Sequence, residues 1–310
     1  MPSIIEVDKL TKRYKGADTN AVDGVSFTVE PGDVFALLGP NGAGKTTTIS
    51  ILTTTLSPTS GTAFVAGYDV VKAASDVRQN IGIIFQKPSL DQNLTAEENV
   101  RFHAVLYGLY PFRPTFSTMP REYRQKVQQL AGILGIESDM GKAVRTFSGG
   151  MRRKLEIVRS LLHSPRVLFL DEPTTGLDPA SRRNLWEYLK KVQIESGTTI
   201  LLTTHYLEEA EEADTICIIN KGLVVSYGTP AQVKADLIED YLLVDAGDRE
   251  LLRSELNQLG ISFTEAPLIR IELDGRSAHQ VLKSINTPLT TVKTHTPTLE
   301  DAYLEIMGKS

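Results

Sequence analysis

Residues 39–50 read GPNGAGKTTTIS, three glycines and a lysine set between an apolar run and a threonine-rich one. Gly39, Gly44, Lys45 and Thr46 fill the pattern G-x-x-x-x-G-K-[ST], with Pro40, Asn41, Gly42 and Ala43 inside it and Thr47 following. Ahead of the loop, DVFALL (33–38) follows the turn signal EPGD and reads as a buried strand. Behind it, TTTISILTTTL can continue as a helix despite its threonines. Strand, glycine loop and helix in this order turn a pattern into a structural statement. Glycines at 39, 42 and 44 let the backbone curl so that successive N–H groups point inward, and the helix adds its positive end. Such a cradle suits a polyphosphate, with Lys45 against the β and γ phosphates and the Thr46 hydroxyl on magnesium. The plainer alternative is a glycine turn joining a strand to a helix.

A chain of 310 residues, 41% hydrophobic and 23% charged, has room for one large core and a second small one, so two domains are expected. Its longest apolar runs fall far short of the roughly 20 residues needed to cross a bilayer, and the N-terminus lacks a charged-then-apolar signal pattern. A soluble chain that stays where it is made is the expectation. The single cysteine, Cys217, lies in the apolar run TICIIN and reads as a small buried hydrophobe in a reducing compartment. A formal net charge of −5 without a basic tail argues against nucleic acid as a partner.

At 167–173 the chain reads VLFLDEP, four apolar residues, two acids and a proline that stops the strand. Ligands gather at the carboxyl ends of parallel strands, so Asp171 and Glu172 sit beside the glycine loop if the two strands are neighbours. Adjacent acids on a strand point different ways. Asp171 can hold magnesium through water, while Glu172 can reach a water attacking the γ phosphate as general base. The alternative is a pair of solvated charges at a strand end.

The stretch FSGGMRRKLEIVRSLLHSPRVLFLDEPTTGLDP (147–179), together with the glycine loop, resembles the nucleotide-binding subunit of an ATP-binding-cassette (ABC) transporter. The resemblance covers residues 4 to about 230 and is nearest to ATPases of bacterial drug-resistance exporters of the daunorubicin-resistance type, through GGMRRKLEI and TPTLEDAYLEIMG. It implies an α/β fold of the P-loop NTPase class: a RecA-like core, an antiparallel β subdomain and a helical lobe at about 88–160. It also implies ATP and Mg2+ as cofactors. Residue by residue, it implies that Tyr14 stacks on adenine and that residues 39–47 hold the phosphates. Gln86, at the end of IGIIFQ, would touch magnesium and the attacking water. Metal contacts would then come from Thr46, Gln86 and Asp171, and catalytic ones from Glu172, His205 and Gln86. Ser148, Gly149 and Gly150 match the family signature, a second anion site at a helix N-terminus. In the family each nucleotide is clamped between the loop of one subunit and the signature of another, in a head-to-tail dimer that Asp178 would cross. Without that resemblance, Asp178 reads as an N-cap aspartate before Pro179.

Two departures from the family pattern stand out. The signature carries Phe147 and Met151 where leucine and glutamine are usual, and LYGLYPFRPTFSTMPREYRQKV (106–127) reads as holding an inserted loop, a surface decoration or a partner contact. Residues 1–230 are expected to form the ATP-binding domain. After the turn SYGTP (226–230), residues 231–310 read as strand, helix, strands, helix, strand, helix, a small α+β accessory domain for regulation, dimer contact or packing.

The function expected is that of an ATPase driving an exporter of drugs or other hydrophobic compounds, working as a homodimer, or a heterodimer with a related ATPase, on a separate membrane permease at the cytoplasmic face. Lipid, polysaccharide or ion cargo stays open. A small-molecule kinase would need an acceptor pocket and a lid, and cassette ATPases acting on DNA or ribosomes tend to carry two cassettes, coiled coils or zinc cysteines.

Overall fold

A computed structural model describes residues 2–85, 89–237, 241–265, 267–273, 275–295, 298–301 and 303. The chain divides into two compact units, Met1–Tyr227 and Gly228–Ser310.

The first unit is built on a six-stranded sheet in the order Leu223–Gly228, Thr215–Asn220, Val34–Leu38, Thr199–Thr204, Val167–Asp171, Ile81–Ile84. From Thr215–Asn220 to Ile81–Ile84 all neighbours are parallel. Three of these strands, Val34–Leu38, Val167–Asp171 and Thr199–Thr204, are buried at every residue. That is why they read as unbroken apolar runs, since a parallel sheet is covered on both faces. The strand bearing the two acids is not the neighbour of the loop strand, because Thr199–Thr204 lies between them. The condition under which the sequence set the acids beside the loop, that the two strands be neighbours, is not met.

A second, antiparallel sheet runs in the order Val22–Val29, Ile5–Lys12, Ser60–Val65, Tyr68–Asp69. Its strand Val22–Val29 alternates between buried and exposed positions, so only one face is covered. That face and the large sheet share a single core, in which Ile5, Leu10 and Val25 join Phe35, Leu37, Phe169 and Cys217. The Phe27 and Phe35 rings stack across it at 5.1 Å.

The helix after the glycine loop, Lys45–Leu52, stops earlier than its sequence suggested. Threonine hydroxyls bond back to the preceding turn, Thr53 to Ile49 O at 2.8 Å and Thr55 to Ser50 O at 2.8 Å. Thr54 then turns into left-handed backbone at φ 63°. Back-bonding of this kind competes with the helix ladder and unwinds it.

Helices Ala96–Leu106, Arg121–Leu134 and Gly149–Leu161 occupy the interval expected for the lobe. A capping box between Thr95 and Glu98 starts the first of them. The segment after Leu106 is a tied-down loop. Arg101, 4% exposed, donates to the carbonyls of Arg113 and Pro114 at 2.8 and 2.9 Å. The fully buried Tyr123 ring meets Tyr110 and Phe116 edge-on.

In the second unit an antiparallel sheet runs Phe263–Glu265, Ile269–Glu272, Tyr241–Ala246, Leu289–His295. Helices Arg249–Gln258 and Ala278–Ser284 contribute Leu252, Leu256 and Val281 to a core with Leu242, Val244, Ile269 and Ile271. A further helix, Pro230–Leu237, follows the SYGTP segment. The expectation of a strand directly after that turn misses this helix, which starts where Thr229 and Gln232 exchange reciprocal bonds, Gln232 Oε1 accepting from Thr229 N–H and Thr229 Oγ1 from Gln232 N–H, with proline in the first turn. Most of the closing TPTLEDAYLEIMG motif lies outside the described residues.

Candidate active site

The glycine loop leaves the end of Val34–Leu38 and is fixed by close backbone approaches. A Cβ on Gly39 would lie 2.2 Å from Ile219 O, and one on Gly44, at φ 109°, would lie 2.5 Å from Ala21 O. Only glycine fits either place. Lys45 opens the helix almost fully buried at 4% exposure, its Nζ donating to the carbonyls of Gly39 at 2.7 Å and Pro40 at 3.1 Å. Burial pushes its pKa below the usual lysine value, and the charges of Glu172 and Asp171 push back.

Although one strand intervenes, the acids do reach the loop. Asp171 Oδ1 accepts from Thr46 Oγ1 at 3.3 Å and from Thr203 Oγ1 at 2.6 Å. Thr203 is on the intervening strand, and its hydroxyl also accepts the Glu172 N–H at 2.9 Å. The middle strand thus acts as a spacer that holds both acids. Glu172 itself takes left-handed backbone, φ 45°, a conformation that costs a non-glycine residue about 1–3 kcal/mol and clusters at functional sites. Its Oε1 lies 3.8 Å from Lys45 Nζ and 3.5 Å from His205 Nδ1, and its Oε2 accepts from the Thr175 hydroxyl at 3.2 Å.

Arg153, which no reading of the motifs singled out, sits behind this group. It projects from Gly149–Leu161 and is 7% exposed. Its guanidinium donates to Pro173 O at 2.9 Å, Phe85 O at 2.8 Å, Glu172 O at 3.3 Å and Glu156 Oε2 at 3.1 Å. Burial lowers its pKa and the Glu156 charge works against that. The i,i+3 pair Arg153–Glu156 is visible in RRKLE, whereas three distant carbonyls carry no sequence signal. Through Arg153 the helix that begins at Ser148 is bonded to the backbone on both sides of the site.

The remaining candidates are spread more widely. Tyr14 is 46% exposed, its hydroxyl 3.3 Å from Thr47 Oγ1 at the loop helix. Ser148 caps its helix by accepting the Met151 N–H at 3.2 Å, with Gly149 and Gly150 in the first turn. Asp178 caps Pro179–Ser196, accepting from the N–H groups of Ala180 and Ser181 at 3.0 Å each. The N-cap reading of Asp178 therefore describes its place within one chain. Gln86 lies outside the described residues; the carbonyl before it, of Phe85, is one of those held by Arg153. Cys217 is buried, and burial pushes its thiol up, which leaves it inert. Among the described residues no group of three or more His, Cys, Asp or Glu could cage a metal.

A buried lysine on a glycine loop, facing a strained acid at the end of a second parallel strand, with a histidine at the end of the third strand that lies between them, defines a phosphate-loop nucleoside triphosphatase. Residues 22–175 match the family model described as ABC transporter. The chain belongs to the ABC transporter family, as an ATP-binding subunit with the ATPase cassette. It is 36% identical to the daunorubicin resistance ATP-binding protein DrrA3 of Streptomyces coeruleorubidus over 98% of this chain and 96% of that one. It is 39% identical to the probable multidrug ABC transporter ATP-binding protein YbhF of Escherichia coli (strain K12) over 77% of this chain, and spans 39% of YbhF's length. A solved ATP-binding subunit of an ABC transporter superposes with a TM-score of 0.65 at 31% identity, over 76% of this chain and 93% of that one.

Proposed function

We propose that this chain is the motor of an exporter for drugs or other hydrophobic compounds, pairing through its nucleotides with a second copy, or with a related ATPase, and driving a separate membrane permease. The observation that carries the hydrolytic part is the placing of Glu172 within 4 Å of both Lys45 and His205. In this reading Glu172 takes a proton from the water that attacks the γ phosphate, and Lys45 swings from the Gly39 and Pro40 carbonyls to the phosphate oxygens. His205 steadies the transferred phosphoryl group. Gly39 to Thr47 surround the phosphates, Tyr14 stacks on the adenine, and Gln86 touches the attacking water.

The Thr46 hydroxyl and Asp171 carboxylate, bonded at 3.3 Å, are the hard oxygen donors that magnesium prefers. With Gln86 as a third contact and no cage among the described residues, these oxygens suit an ion that arrives with the nucleotide; when bound, it neutralises phosphate charge. Ser148, Gly149 and Gly150 would grip the nucleotide held by the opposite subunit, and Asp178 would lie at that interface. ATP then favours the closed pair because its γ phosphate touches both members, and hydrolysis removes that differential contact.

Export of drugs is supported by the name of DrrA3 and its near full-length match. No helix among the described residues is long and apolar enough to cross a membrane, in keeping with a subunit placed at the cytoplasmic face by its permease. The test is to purify the chain with the membrane protein that accompanies it, reconstitute both in vesicles, and follow ATP-dependent movement of daunorubicin. Movement that stops with Glu172→Gln supports the proposal; vesicles that hydrolyse ATP without moving this class of compound refute the cargo assignment.

A further inference from the structure

The parallel ladder between the acid strand and its neighbour ends at the pair Asp171 and Thr203. Glu172 and His205 both lie beyond that last pair, so backbone pairing does not fix the 3.5 Å between them. A buried carboxylate that belongs to neither strand spans the gap. Glu209, 2% exposed in the short helix Leu207–Ala210, accepts from Thr174 Oγ1 at 2.5 Å on one oxygen and from Thr204 Oγ1 at 2.7 Å on the other. Thr174 stands two residues after Glu172 and Thr204 immediately before His205, and both hydroxyls are buried.

A third tether comes from the helix that Asp178 caps. Arg182 Nε lies 3.6 Å from Glu209 Oε1, and its guanidinium sits 4.0 Å over the Tyr206 ring. The Tyr206 ring in turn lies 4.1 Å from the His205 ring, and the Tyr206 backbone N–H donates to Thr204 Oγ1 at 2.9 Å. Burying a carboxylate is costly unless it is well bonded, and here both oxygens and a cation are engaged. Burial raises the Glu209 pKa while the two threonines and Arg182 counter it.

We infer that Glu209 is a positioning residue for ATP hydrolysis: it straps the segment after Glu172 to the segment before His205 and, through Arg182 and Tyr206, fixes the histidine ring relative to the helix that starts at Asp178. The inference rests on the proposed roles of Glu172 and His205. Its consequence is that a displacement of the Thr174–Asp178 turn is transmitted to His205 through side chains. A misplacement of about 1 Å in a catalytic group lowers turnover by up to about 100-fold.

The experiment measures kcat and KM for ATP in the full chain carrying Glu209→Gln, Thr174→Val, and both. Each single change is expected to lower kcat about tenfold with KM held within about twofold, because phosphate binding is untouched. In the double variant no further loss is expected, since either change alone already opens the strap. Losses that multiply in the double variant, a rise in KM instead of a fall in kcat, or unchanged kcat in both single variants overturn the inference. Thr174→Val, which introduces no polar group, carries the test by itself should Glu209→Gln fail to fold. His205→Ala measured alongside separates the two levels. Undiminished turnover there removes the proposed site, whereas slow His205→Ala beside unaffected Glu209→Gln and Thr174→Val removes the strap alone.

Discussion

Glu172 Oε1 stands 3.8 Å from Lys45 Nζ, although the strands that lead to the two residues are separated by a third. The contact exists because Thr203 on the middle strand holds Asp171 and the Glu172 N–H, while the left-handed backbone at Glu172 turns its side chain toward the loop. A neutral isostere tests what the carboxylate does there. Glu172→Gln is expected to keep ATP binding and lower turnover by at least about 100-fold, the scale of a lost general base. With hydrolysis blocked, ATP should also shift the chain toward a dimer in light scattering. Turnover within a few-fold of the parent would take Glu172 out of the role of base.

Lys45 tests binding where Glu172 tests chemistry. Its ammonium is buried and bonded to two loop carbonyls, so the charge is already desolvated and points into the cradle. Charged hydrogen bonds contribute about 1.5–3 kcal/mol each, so Lys45→Ala should weaken ATP affinity by about 10- to 100-fold. Titration calorimetry reads this directly. An unchanged dissociation constant with slow turnover would place the lysine in the transition state alone.

Arg153 predicts a loss of stability as well as of rate. It supplies donors to the carbonyls of Phe85, Glu172 and Pro173 and balances the buried Glu156 carboxylate, which is 1% exposed. Removing one partner of such a pair costs about 3–5 kcal/mol, because the other is left charged and buried. Arg153→Met is expected to lower the melting temperature sharply and ATP turnover with it. Arg153→Lys, with a single ammonium that cannot span three carbonyls, should fall between the two. Equal melting curves for the methionine variant and the parent would contradict the bonding described.

What could be read in advance follows from range. The buried strands were legible because a parallel sheet demands unbroken apolar runs, and the chemistry sits at their ends where polar residues interrupt them. The glycine loop was legible because its conformation is set within eight residues. Strand order was not, since nothing local in DVFALL or VLFLDE says that TTILLTT lies between them. The early end of Lys45–Leu52 needed the back-bonding threonines to be weighed against the pattern. The long-range ties of Arg101 and Arg153 were invisible because those partners are backbone carbonyls well away in sequence, with no residue type to give them away. Gln86 alone among the named residues lies outside the described part.

Acid sensitivity offers a last check, away from the active site. His103 lies in Ala96–Leu106 with its ring 4.1 Å from Tyr107, and its Nε2 is buried without a hydrogen-bond partner among the described residues. Burial, with the nearby charges of Arg159 and His163, pulls its pKa down to about 3. In the unfolded chain the same imidazole titrates near about 6.5. Between these values the unfolded state binds the extra proton, so the contribution of neutral His103 is complete above pH about 6.5 and is lost as pH falls toward about 3. His103→Phe keeps a ring against Tyr107 and removes the titration. Its unfolding free energy from urea melts should therefore fall less steeply than the parent's between pH 6.5 and 4, by up to about 1.4 kcal/mol per pH unit. Parallel curves for the two proteins would mean that His103 is protonated equally in both states and that its surroundings are wetter than the packing against Tyr107 implies.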